Sequence, residues 1–184
     1  MIDPAFPRDL LFTGALFGFV AFVWAGWAHE RPPRGALWRV VLVVIQAAGL
    51  VLLGFGLPPL IRNWGSPSAL VPGSVPLIWY IVITWIEIIA IAVVAIVLIR
   101  RKRAELIAPP AMIVVGLHFV PLAFVFGQPL LLVAAVAVTA IGVAALFLPR
   151  RIAAPSFWCG FLAGPLFLAL GLVALVAGRS ALAG

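Results

Sequence analysis

The residue best suited to chemistry in this chain is a single carboxylate in the middle of a long apolar segment. Glu87 lies near the centre of residues 75–99, and Tyr80 and Thr84 precede it by seven and three residues, on the same face of a helix. A charged side chain at the centre of a bilayer costs about 2.5–3.5 kcal/mol, so it marks a pathway or a ligand site by default. The stripe predicts a carboxylate that handles a proton or a cation at the end of an outer vestibule. The alternative is a neutral Glu that is hydrogen-bonded between helices.

His118 is the second candidate, because its imidazole can change charge near neutral pH. Pro121 follows three residues later and removes a backbone hydrogen bond close to it. A tight connection joins the segments that carry Glu87 and His118, so the two helices should be neighbours. We therefore expect these side chains to pair directly or through a water. The alternative is a neutral His bonded to a backbone carbonyl or a hydroxyl.

Two further polar side chains lie near the middle of apolar segments. Gln46 and Thr139 most often act as hydrogen-bonding groups between helices, worth about 0.6 kcal/mol on average. Gln46 could also join Glu87 and His118 around one cavity. We include it in the predicted ligand- or proton-binding set, which is Glu87, His118, Gln46, Tyr80 and Thr84.

The sequence lacks the motifs that identify most enzyme classes. The chain has one cysteine and no Gly-x-Ser-x-Gly, His-Glu-x-x-His, phosphate-loop or dinucleotide-binding motif. Glu87 and His118 alone are too few ligands for a closed metal site. The sequence therefore predicts no catalytic residue, no metal and no cofactor, and enzymatic activity is not expected.

The composition defines the solvent that these residues face. The 184 residues are 66% hydrophobic and only 9% charged, against about 25% charged in a soluble domain. This excludes a water-soluble globular protein and a disordered chain. The net charge is +7, but the cations flank apolar segments, which indicates lipid headgroups rather than nucleic acid as their partner.

Six apolar segments are long enough to cross a bilayer, which takes about 20 residues each. They form one domain, residues 1–184, predicted to be an all-α bundle of six transmembrane helices. Their approximate bounds are 10–28, 37–57, 75–99, 111–127, 129–148 and 156–177. Prolines and charges account for the breaks, among them Pro58 after the second segment, because proline interrupts a helix interior.

The distribution of cations predicts the orientation. Three arginines lie on the side of the termini, and the other nine Lys and Arg lie on the opposite side. The cation-rich side should be cytoplasmic, which leaves both termini outside. Eleven of the twelve cations are Arg, which is typical of a GC-rich bacterial genome. We therefore expect a multi-pass protein of a bacterial inner membrane.

Glycine spacing predicts close helix packing. Gly14 and Gly18 lie four residues apart in the first segment, and Gly160 and Gly164 do so in the last. Small residues let helix backbones approach in lipid, either within a chain or between chains.

A short sequence match also relates the first and fourth segments. Gly14, Phe17 and residues 21–23 match Gly116, Phe119 and residues 123–125 without gaps. Because the two segments run in opposite directions, the match suggests a three-plus-three inverted repeat, as in many transporters.

The stretch from Gly116 to Leu122, Gly-Leu-His-Phe-Val-Pro-Leu, follows a Glu-bearing segment and Pro109–Pro110. It resembles a segment of small six-helix bacterial membrane proteins of uncharacterised function. The resemblance covers the third and fourth segments, and it implies that His118 and Pro121 are family features. It implies no activity, substrate or cofactor.

These observations favour a small secondary transporter or channel-like protein with a small-molecule or ion substrate. The alternative is a structural or accessory subunit that packs through its glycine-rich faces against a partner membrane protein or a second copy. A membrane enzyme acting on lipid ranks third, because the sequence offers no nucleophile or metal centre for it.

Overall fold

The computed structural model describes residues 2–183, and this part of the chain is helical without strands. Its six long helices are apolar and long enough to cross a membrane. Single-turn helices follow α1 and precede α4, at Ala28–Glu30 and Ala104–Leu106. The long helices are α1 Pro7–Trp27, α2 Ala36–Arg62, α3 Val75–Arg100, α4 Ala108–Phe126, α5 Leu130–Phe147 and α6 Pro155–Ala183.

The helices form two groups of three. In the first group α1 packs along both α2 and α6, and in the second α4 packs against α5 and more lightly against α3. Aromatic rings join the groups: Phe17 of α1 meets Phe119 of α4 and Phe167 of α6, with ring centroids 5.5 and 5.2 Å apart, edge to face. This arrangement places α1 opposite α3 and α4.

All four predicted packing glycines lie at contacts within the chain. A Cβ added at Gly14 would lie 3.0 Å from the Gly171 carbonyl, and one at Gly18 would lie 2.7 Å from the Gly49 carbonyl. At Gly160 it would overlap the Trp24 carbonyl. The backbones of α1, α2 and α6 therefore approach as closely as glycine allows.

Gly164 completes the set, because a Cβ there would lie 2.6 Å from a methyl carbon of Ile45 on α2. A second close approach joins α4 to α5, where Cβ atoms at Gly116 and Gly142 would overlap Thr139 and crowd Ile113. Thr139 thus lies in the α4–α5 contact. Neither of these two glycines belongs to a four-residue spacing within its own helix, so the sequence pattern did not single them out.

Helix α3 differs from the others because it contains no glycine and only Ile83 is buried along its length. Its principal helix partner is α4. The Tyr80 ring meets the Phe126 ring edge-on at 5.8 Å. One face of α3 therefore contacts the bundle, and the rest presents branched apolar side chains outward.

The prediction that α2 ends before Pro58 is wrong, because the helix continues through Pro58 and Pro59 to Arg62. Proline at 59 has no N–H to donate to the Phe55 carbonyl, four residues earlier. Arg179 of α6 supplies that donor, with its Nη2 2.8 Å from the Phe55 oxygen. A guanidinium thus replaces a missing amide, and α6 itself runs six residues beyond its predicted end.

The loops gather at two ends of the bundle. At one end, Gln128 of the α4–α5 connection bonds the backbone of Asp3, and Arg8 bonds the Trp64 carbonyl in the α2–α3 loop. At the other end, Arg31 bonds the Arg150 carbonyl. The first end is the cation-poor side of the predicted topology and the second is the cation-rich side.

Candidate ligand- and proton-binding site

A cavity of about 350 Å³ lies where α1 faces α3 and α4. Most of its wall is apolar, and seven of its seventeen lining residues are Phe, Trp or Tyr. The polar residues on it are Thr13, Tyr80, Thr84, Glu87 and His118. The cavity exists because α3 leans on α4 without packing extensively on α1.

Glu87 and His118 pair directly at this cavity. Glu87 Oε1 lies 3.4 Å from His118 Nδ1, and the side chains are 17% and 14% exposed. The same His118 nitrogen contacts the Val115 carbonyl. A proton on Nδ1 can therefore be donated to the carbonyl, beside a carboxylate oxygen, while Nε2 serves as the acceptor of the ring. The pair can hold a proton in a largely apolar environment.

Tyr80 and Thr84 extend this polar region along α3. The Thr84 hydroxyl donates to the Tyr80 carbonyl at 2.8 Å, so its hydrogen is used within the helix and its oxygen can still accept. The Tyr80 ring is half-buried against Phe126. Among the described residues that line the cavity, Glu87 is the one acidic group.

Gln46 lies elsewhere, which corrects its predicted grouping with Glu87 and His118. It is on α2, and no α2 residue lines the cavity. The Gln46 Oε1 instead lies 3.1 Å from His29 Nε2. Helix α2 packs chiefly against α1 and α6, and its mid-helix amide joins α2 to the single-turn helix that follows α1.

The sequence reading missed the wall that α1 contributes. Thr13, Phe17, Val20 and Trp24 recur at helical spacing and all line the cavity. This periodicity was visible in the sequence, with Thr13 as a polar residue on that face. The pattern did not indicate that this face of α1 meets Glu87, because spacing within one helix does not show which distant helix packs against it.

A polar cluster that the sequence pattern did not predict connects the α2–α3 loop to the start of α1. The Asp9 carboxylate accepts from the Ser68 hydroxyl at 2.6 Å and from the Ala69 N–H at 2.7 Å. Arg8 donates to the Trp64 carbonyl at 3.0 Å and lies over the Trp64 ring, 5.1 Å from its centroid. Ala69 is buried in the same core as Phe17 and Phe119. The loop thus covers the end of the bundle from which α3 begins.

The side chains define what the site can do. Within residues 2–183, no group of three or more His, Cys, Asp or Glu could hold a metal ion. Cys159 is buried in α6 and is not among the lining residues. The cavity therefore offers one proton-accepting pair, hydroxyl oxygens and many aromatic faces, which suit binding rather than covalent chemistry.

Comparisons of the chain with protein families, with curated proteins and with solved structures find no match. The resemblance of Gly116–Leu122 to small six-helix bacterial proteins therefore stays an expectation. The geometry of the site is the basis for its proposed function.

Proposed function

We propose that the chain is a multi-pass inner-membrane protein that acts as a small secondary transporter or channel-like protein, with Glu87 and His118 as its working pair. The observation that carries the proposal is the cavity of about 350 Å³ that reaches both side chains. A Glu that served only to fix helix packing would be sealed in an interface. Here the carboxylate borders open space that a ligand or water can occupy.

The exposed surface supports the membrane setting. Phe124 and Phe147 are 77% and 82% exposed, and many Ile, Val and Leu side chains are more than half exposed. Such a surface is stable in hydrocarbon and costly in water. The cation-rich end carries Arg31, Arg150 and residues 100–103, so it is the proposed cytoplasmic end, with both termini outside.

The grouping of helices supports an inverted repeat. The close pair α1–α2 corresponds in order to the close pair α4–α5, and α6 on α1 corresponds to α3 on α4. In transporters built from inverted repeats, the site lies at the repeat interface near the midplane. Glu87, near the middle of α3, lies between the two groups in this way.

Proton and small-cation flux in proteoliposomes tests the proposal. We expect wild-type protein to carry a flux that varies between pH 5 and pH 8, since an imidazole can change charge near neutral pH. Glu87→Gln keeps the shape of the side chain and removes its charge, so it should abolish the flux. His118→Ala should reduce it.

Glu105→Gln is the matched control. This carboxylate is exposed in the cation-rich loop and does not line the cavity, so its variant should retain full flux. Each variant is first checked for a single monodisperse peak in detergent. If folded Glu87→Gln carries wild-type flux, or if wild-type protein carries none, the proposal is wrong.

One observation favours a second candidate function, that of an accessory subunit. Most of the branched apolar side chains of α3 are exposed, and a partner helix could pack there. The glycine faces first expected to bind such a partner are occupied within the chain. This function predicts a copurifying membrane protein, and a Glu87→Gln variant that is less stable but otherwise unchanged.

A further inference from the structure

We propose that the cavity between α1, α3 and α4 binds a lipophilic organic monocation, such as an alkylated or aromatic ammonium ion, in exchange for a proton on Glu87. This inference rests on the proposed transport function and names its substrate class. Three properties of the cavity carry it: the sign of its charge, the nature of its walls and its size.

The charge of the cavity selects a cation. Glu87 is its acidic group, and no Lys or Arg lies on its wall. The other titratable groups that face Glu87 are His118 on α4 and Tyr80 on α3, while α1 and α5 contribute none. A bound anion would meet no positive partner other than a protonated His118, whereas a cation can compensate the carboxylate directly.

The walls select an organic cation over a metal ion. Calcium takes six to eight oxygen ligands and magnesium keeps an octahedral shell, but this wall supplies one carboxylate and three hydroxyls, one of which already donates to its own helix. Aromatic faces instead attract alkylated ammonium groups, which need little water around them. Phe17 and Phe119 face the cavity on α1 and α4, and Tyr80 completes the aromatic wall on α3.

The size allows one small organic ion. A volume of about 350 Å³ falls at the lower end of the range for small-molecule pockets, about 300–1,000 Å³. Because the ion and the proton both neutralise the same carboxylate, the site holds one or the other. Binding of one monocation to the protonated site therefore releases one proton, and no bond other than the O–H bond is broken.

Equilibrium binding of radiolabelled phenyltrimethylammonium to the purified full chain in detergent tests the inference, with empty micelles subtracted. We expect affinity at least about tenfold higher at pH 8 than at pH 5, because protons compete at low pH, and a similar loss in Glu87→Gln, about the effect of one charged contact. Glu87→Asp should retain binding, and Glu105→Gln should match wild type. Sodium and calcium ions should not displace the probe, but unlabelled tetramethylammonium should.

The outcomes separate this inference from the transport proposal. Proton flux that depends on Glu87, without phenyltrimethylammonium binding, would overturn the substrate class and leave transport standing. Binding that is equal in folded Glu87→Gln, or that the neutral isostere tert-butylbenzene displaces as well as tetramethylammonium does, would show an apolar cavity without cation preference and also overturn it. Saturable binding that Glu87→Gln weakens about tenfold and Glu87→Asp keeps supports it.

Discussion

Helix α1 packs tightly against α6, whereas α3 packs loosely against α4. Along the first contact, Gly14, Gly160, Gly171 and Gly178 let the two helices approach closely. Along the second, α3 has no glycine, and a single residue of α3 is buried. The cavity opens on the second side.

The difference teaches where a bundle of apolar helices can keep an ionisable group. In hydrocarbon, helices associate through van der Waals contact, and small residues strengthen that contact. A helix of large branched residues touches its neighbour over less area, so space remains beside it. Glu87 lies on that loosely held helix, and α1, which packs closely against α2 and α6, forms the opposite wall.

Filling the glycine contact should have the largest effect. In Gly160→Val the new side chain would overlap the Trp24 carbonyl, and backbone cannot move as a side-chain end does. We expect the free energy of unfolding to fall by about 3 kcal/mol, the upper part of the range for overpacking. Thermal unfolding in detergent measures it.

Gly54→Ala is the control for that variant, because a Cβ there meets nothing within 4 Å. It should be neutral or stabilising by about 0.5–1 kcal/mol, since alanine favours a helix over glycine. Equal losses in the two variants would mean that the glycines do not set the α1–α6 contact.

Loosening the attachment of the α2–α3 loop should have an intermediate effect. Asp9→Ala leaves the buried Ser68 hydroxyl and Ala69 N–H without their acceptor, which should cost about 1–3 kcal/mol. Because this loop leads into α3, we also expect faster proteolysis between residues 63 and 74.

Asp3→Ala is the matched comparison, since Asp3 is exposed and, within residues 2–183, its carboxylate accepts only from the nearby Ala5 N–H. Proteolysis of the loop should stay at the wild-type rate in that variant. An Asp9→Ala loop that is cut no faster than wild type would show that helix contacts alone hold α3.

Shortening the outer face of α3 should have the smallest effect. Ile89 is 57% exposed, so Ile89→Ala should change the free energy of unfolding by less than about 0.5 kcal/mol, as at other exposed positions. Thermal unfolding of the purified chain measures it. A loss of several kcal/mol would mean that a second copy or a partner covers this face, which would favour the accessory function.

Much of the helix framework was predictable, because hydropathy depends on composition within one segment. Six apolar segments and six long helices coincide, and Ser74 begins α3 as a helix-capping residue should, with its Oγ accepting from the Leu77 N–H at 3.3 Å. The end of α2 was not predictable, because it depends on Arg179, more than a hundred residues away in the chain.

The candidate site was predictable only in part. Helical spacing placed Tyr80, Thr84 and Glu87 on one face, and a short connection brought His118 beside them. Gln46 is also polar and lies at a similar depth along its helix, yet its side chain faces His29 and not the cavity. Depth along a helix follows from residue number, whereas the direction that a side chain faces around the bundle depends on which helices pack together.

The contact between the first and the last long helix also has a consequence for how the chain is assembled. Gly14 and Gly171 lie on the first and the last long helix, so α1 and α2 are synthesised before the helix that covers Gly14. The surface around Gly14 stays uncovered until α6, which follows three intervening helices, has been synthesised and packs against α1. A ribosome stalled before α6 should therefore leave a chain whose α1 is free to bind insertion factors, and release of α6 should end that binding.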